Sequence, residues 1–239
     1  MLFLAVPTAW AQTGPHSAHT PTGPAHLPQR AHALMAQHGG TMNWLLLVDR
    51  FEWQDGDSGA GWLGEAQGWW GSDSHKLWVK TDATVEQGKA TAEDMQLLFS
   101  QAIFPFWDLQ AGFRRSDTPE SSARGWFVLG VQGLAPAWFN VDAALYASDE
   151  GHWQSEVELD YTLRLSQRLL LQPRFDGRFA LTEGHGGDSA AGVLEATLGL
   201  RLRYEIRREF APYVGLEWTP AGHAVPHDAA AVAGIRIWY

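Results

Sequence analysis

"SEVELDYTLRLSQRLLLQPRFDGRF", residues 155–179, sorts its side chains by parity. Glu156, Glu158, Asp160, Thr162 and Arg164 alternate with Val157, Leu159, Tyr161, Leu163 and Leu165. After Ser166-Gln167-Arg168 the alternation resumes. Leu169, Leu171, Phe175 and Phe179 share one parity; Gln172, Arg174, Asp176 and Arg178 share the other. A period of two marks β-strands with one oily face and one charged face. A three-residue turn sets Asp160 opposite Arg174 and Glu156 opposite Arg178, so the charged faces supply each other's partners across a hairpin. Pro173 lacks a ladder donor and predicts a bulge or loosened pairing beside it.

The same alternation begins at Met42 and divides the chain into twelve segments. They cover approximately 42–54, 63–70, 75–82, 93–103, 106–115, 125–133, 138–146, 154–165, 169–180, 193–205, 210–218 and 231–239. Asp49 falls on the oily parity of its segment, which a bulge there would correct. The connections read as alternately long (55–62, 83–92, 116–124, 147–153, 181–192, 219–230) and short ("GSDS", the Pro105 corner, "LAPA", "SQR", "RRE"). Short turns at one end, longer loops at the other and strands of about ten residues are the pattern of an outer-membrane barrel. The expected fold is therefore all-β: an antiparallel up-and-down transmembrane β-barrel of about 12 strands, lipid outside and charges within. A soluble β-sandwich also alternates and is the competing architecture. Trp70, Trp107, Trp126, Trp138, Trp153, Trp218 and Trp238 lie near segment ends, where an aromatic girdle falls, and this favours the barrel.

The rest of the chain has a different character. Residues 1–11 read as a truncated signal peptide: an apolar Leu2–Val6 run and a small-x-small Ala9-Trp10-Ala11 site. Residues 12–41, rich in Pro, Gly, Thr, Ala and His, lack apolar periodicity and read as a disordered tail ahead of a barrel over 42–239. A formal charge of -10 argues against a nucleic-acid partner, and the absence of cysteine rules out disulfides and thiolate metal sites.

Two groups of residues could hold a metal. His16, His19, His26, His32, Met35, His38 and Met42 gather imidazole and thioether ligands suited to copper. The barrel's inward parity carries Asp108, Gln110, Asp142, Glu156, Glu158 and Asp160, which could guide a cation or could pair with Arg114, Arg164, Arg174, Arg178, Arg201 and Arg203. No nucleophile stands beside a base and an orienting third group, and no phosphate loop is present, so nothing in the sequence asks for an enzyme.

"MNWLLLVDRFEWQ", "GWWGSDSHKLWVKTD", "LLFSQAIFPFWDLQAGFR", "VLGVQGLAPAWFNVDAALYASDEG", "SQRLLLQPR" and "RYEIRREFAPYVG" together, in this order over residues 42–239, resemble the bacterial copper resistance protein B family. The resemblance implies an outer-membrane barrel protecting against excess copper, Cu+ or Cu2+, beside a periplasmic multicopper oxidase. There is room beside this for a barrel-based role, in which copper ions meet the carboxylates, His75 or Met95 on a transport path, although the odd parity of Met95 turns it toward lipid. Relatives carry long Met- and His-rich repeats before the barrel; here that region is short, with only Met35 and Met42. Two functions are expected to compete: copper binding for export or sequestration of periplasmic copper, and a general small-solute channel with incidental tail histidines.

Overall fold

The computed structural model describes residues 42–57, 59–86, 89–118, 121–182, 191–220 and 228–239. The signal and tail assigned to residues 1–41 lie outside them. Thirteen antiparallel segments form one sheet: β1 (Asn43–Gly56), β2 (Gly59–Gly71), β3 (His75–Glu86), β4 (Lys89–Phe104), β5 (Trp107–Thr118), β6 (Ser121–Ala135), β7 (Phe139–Ser148), β8 (Trp153–Asp160), β9 (Leu163–Arg164), β10 (Leu169–Ala180), β11 (Gly192–Tyr204), β12 (Phe210–Thr219) and β13 (Asp228–Trp238). Each pairs with its neighbour, and β13 pairs with β1, so the sheet closes on itself. The strip β9 continues β8, giving twelve staves. Closure removes every unpaired edge, the requirement lipid imposes on a sheet.

Outward side chains form an apolar band. Leu77, Met95, Leu97, Phe99, Phe113, Phe127, Leu129, Leu145, Leu198, Leu200, Val214 and Leu216 are all exposed. Trp44, Trp70, Trp138 and Trp238 stand toward the short-turn end, and Trp53, Trp62, Trp153 and Trp218 toward the other. Nine steps along the strand from Trp44 to Trp53, at about 3.3 Å each and a tilt near 40°, span roughly 23 Å, the height of a lipid-facing band. Trp126 departs from the expected girdle. Phe127 and Leu129 take the outward parity, which turns Trp126 inward, where it is buried with Trp78, Leu98, Val128 and Tyr146.

Asp160 pairs with Arg174 and Glu156 with Arg178, the register expected from the "SQR" turn. Opposite Pro173 the eighth stave breaks: β8 stops at Asp160 and resumes as β9 at Leu163 in the same register. The missing proline donor accounts for the gap, although the Tyr161 amide still donates to the Pro173 carbonyl at 3.1 Å. Near Asp49 the ladder of β1 slips against both neighbours, between Val48 and Arg50 toward β2 and between Val48 and Phe51 toward β13. This bulge turns both Asp49 and Arg50 inward and switches the inward parity from odd to even.

The expected alternation of long and short connections does not hold throughout. β1 runs to Gly56 and β2 starts at Gly59; β3 runs to Glu86 and β4 starts at Lys89; β5 runs to Thr118 and β6 starts at Ser121. These three connections are tight. The polar stretches before and after them continue the ladder past the girdle, where water faces both sides and no apolar alternation is needed. At that end the long connections are those at 181–191 and 220–227.

Candidate functional site

The inward parity fills the barrel with charge. Lys80 on β3 reaches across the lumen to Asp142 on β7, with Nζ 2.5 Å from Oδ2. Lys76 meets Asp108 at 2.7 Å. Arg114 on β5 pairs with Asp94 on β4 and, at 3.2 Å, with Glu156 on β8. Arg174 is the hub. Its guanidinium contacts Asp49 (3.2 Å), Glu65 (3.2 Å), Glu158 (3.0 Å) and Asp176 (2.9 Å), joining β10 to β1, β2 and β8. Glu52 on β1 is 0% exposed. It accepts Arg201 Nε at 3.0 Å, Arg201 Nη2 at 2.8 Å, the Tyr213 hydroxyl at 2.9 Å and Gln54 Nε2 at 2.9 Å, while Arg201 also pairs with Glu217. Charge-assisted pairs of this kind are the strong hydrogen bonds of a low-dielectric interior.

Gly199 makes room for that arrangement, because a Cβ there would lie 2.2 Å from Arg201 Nη1. Gly199→Ala is expected to push the guanidinium off Glu52 and destabilise the barrel by about 1–3 kcal/mol, the usual overpacking range. Thermal unfolding in detergent, followed by gel mobility, measures it; an unchanged midpoint would show that Arg201 has another place to go.

Cavities remain between the braces, and two of them lie side by side. The larger, about 560 Å³, reaches the short-turn end, where Phe106, Leu134 and Asn140 line it. Seven of its described lining residues are carboxylates (Asp49, Glu65, Asp82, Asp142, Glu156, Glu158, Asp160), against two cations, Lys80 and Arg236. The smaller, about 180 Å³, lies between this layer and Glu195, Thr197 and Glu217. The two share four lining residues, Glu65, Asp82, Glu156 and Glu158, and all four are carboxylates. They form a collar of acidic side chains at the boundary of the two chambers. Among the described residues Asp82 makes no hydrogen bond or ion pair, and Asp94 faces it across the ladder.

The structure thus brings Asp142, Glu156, Glu158 and Asp160 to one cavity, as their shared parity predicts. It pairs the first three with Lys80, Arg114 and Arg174; Asp160 takes neutral partners, Asn140 at 3.0 Å and Gln172 at 3.2 Å. His75 does not join them. It lies exposed beside the short turn, with Nδ1 3.0 Å from Ser74 Oγ and its ring against outward-facing Phe99. Met42 is exposed at the start of β1, and Met95 is exposed on the lipid side. His16, His19, His26, His32, Met35 and His38 lie outside the described residues. Among the described residues no three His, Asp or Glu side chains converge as a ready ligand set. Asp49, Arg50, Lys80, Asp82 and Asp94 are lumen residues that the sequence pattern did not single out as a site.

The family model described as "Copper resistance protein B precursor (CopB)" matches residues 42–239. The chain belongs to the copper resistance protein B family. Copper resistance protein B of Escherichia coli is 35% identical over 214 residues, covering 85% of this chain and 72% of that protein. The copper resistance protein B homolog of Pseudomonas syringae pv. tomato is 30% identical over 249 residues, covering 98% and 84%. The solved NanC porin shares the fold at a TM-score of 0.54 and 8% identity, covering 80% of this chain and 98% of that one. Membership in the copper resistance protein B family supports a role in copper resistance, and this is not a known enzyme family. The closed barrel with its apolar outer band places this member in the outer membrane.

Proposed function

We propose that this barrel binds copper ions and so exports or sequesters periplasmic copper. The observation that carries the reading is the collar of four carboxylates that lines two lumen cavities at once, in a barrel whose family is tied to copper resistance. Rings of Asp and Glu favour cations over anions in a membrane pore. The short-turn end corresponds to the periplasmic side, so the larger cavity takes ions from the periplasm.

The donor set supports a division of labour by oxidation state. The described residues lining both cavities offer carboxylate, amide and phenol oxygens, and no His or Met. Hard oxygen donors suit Cu2+, whereas the imidazoles and thioethers of residues 16–42 accommodate Cu+. Copper titration of the full chain in detergent tests both halves. Asp82→Asn has no ion pair to break, so it is expected to leave the fold intact and weaken cupric binding several-fold. Replacing His16, His19, His26, His32 and His38 with alanine is expected to reduce cuprous binding. Unchanged cupric affinity in Asp82→Asn sinks the lumen site; loss of all copper binding with the histidines returns the whole function to the tail.

A further inference from the structure

Beside the collar, toward the β11–β13 wall, a small pocket of about 10 Å³ lies among guanidiniums and shares Asp49, Gln172 and Arg236 with the larger cavity. Arg50, Arg174, Arg201, Arg203 and Arg236 line it, against one carboxylate, Asp49. Arg50, Arg174, Arg201 and Arg236 have carboxylate partners around its rim. Arg203 has none. It is 7% exposed, its one hydrogen bond runs from Nη1 to the Gln172 amide oxygen at 3.0 Å, and among the described residues no carboxylate pairs with it. Arg201, 4% exposed, lines the same pocket, with its Nη1 lodged against Gly199.

A buried lysine in that position could shed its proton; a guanidinium cannot. A buried positive charge without a partner is strongly unfavourable, so the site calls for a negative charge the chain does not provide. Gln172 offers only a neutral dipole. A pocket of this size holds about one water-sized particle. We propose that the pocket between Arg201 and Arg203 binds a single small inorganic anion of the chloride class, as a structural counter-ion of the lumen. The site is independent of copper binding. Five guanidiniums face the single carboxylate of Asp49, and an anion accepts from several N–H groups at once, whereas a water molecule brings no charge.

The test uses the full chain, refolded in neutral detergent without copper. Its thermal midpoint is followed in sodium chloride, bromide and gluconate at constant ionic strength. Chloride and bromide are expected to raise the midpoint saturably, by about 5 °C at a hundredfold excess over Kd, while gluconate, too large for the pocket, does not. Arg203→Gln should abolish the difference. Equal midpoints in chloride and gluconate overturn the proposal, as does an Arg203→Gln protein that keeps the full chloride response. Should that variant fail to fold, crystals of the unaltered protein grown in bromide decide: an anomalous peak beside Arg201 and Arg203 supports the site, and a water molecule there overturns it.

Discussion

Glu52→Ala is expected to be the most destabilising single substitution in the barrel, costing about 3–5 kcal/mol. Glu52 is fully buried, and removing it strands the Arg201 guanidinium and the Tyr213 hydroxyl without their acceptor. Arg201 would keep Glu217, so the loss is partial. For a chain of this size the thermal midpoint should fall by about 10 °C. Gel mobility after heating in detergent measures it, with Glu52→Gln as the milder comparison. Adding Arg201→Met to Glu52→Ala should recover part of the stability, because the stranded charge is then gone. A midpoint within a degree or two of the parent would mean that water already compensates this pair.

Arg174→Gln carries the second large effect, on permeation. The Arg174 guanidinium contacts Glu65 and Glu158, two of the four collar carboxylates, and so sets a tethered positive charge beside the collar. In planar bilayers the parent barrel should conduct weakly. The variant should conduct at least about tenfold more and prefer potassium to chloride, since the collar loses its internal cation and keeps its carboxylates. Arg174→Lys should stay close to the parent. An unchanged conductance would locate the barrier elsewhere, with the aromatic cluster around Trp78 and Trp126 the next element to alter. Pairing Arg174→Gln with Glu158→Gln removes one charge of each sign and separates a pore effect from simple destabilisation.

The fold was legible wherever lipid dictated parity. Between Ser155 and Phe179 the alternation, the turn length and Pro173 were enough to read the hairpin, its register and its weak point. Parity also brought Asp142, Glu156, Glu158 and Asp160 to the lumen. At Asp49 the break in parity announced the bulge, but parity failed to say that the extra residue turns Arg50 inward as well and closes Glu52 onto Arg201 and Tyr213. It failed again above the girdle, because a ladder in water on both sides has no apolar rhythm, and ordered strand reads as loop. The braces Lys80–Asp142 and Arg174–Asp49 were out of reach for another reason. They join staves that are not neighbours, and which staves face each other depends on closure and tilt, which a period of two does not encode.

The chain positions of the Glu52 partners have a kinetic meaning. Glu52 is on the first strand, while Arg201 and Tyr213 follow it by 149 and 161 residues. Contacts so distant along the chain reward the polypeptide only after nearly all of it has assembled. Local hairpins can form in any order without them; this network completes when β13 meets β1. An interaction absent from the transition state governs how slowly the native form is left rather than how quickly it is reached. The buried carboxylate of β1 is thus the clasp of the barrel, and the lifetime of the inserted protein depends on it.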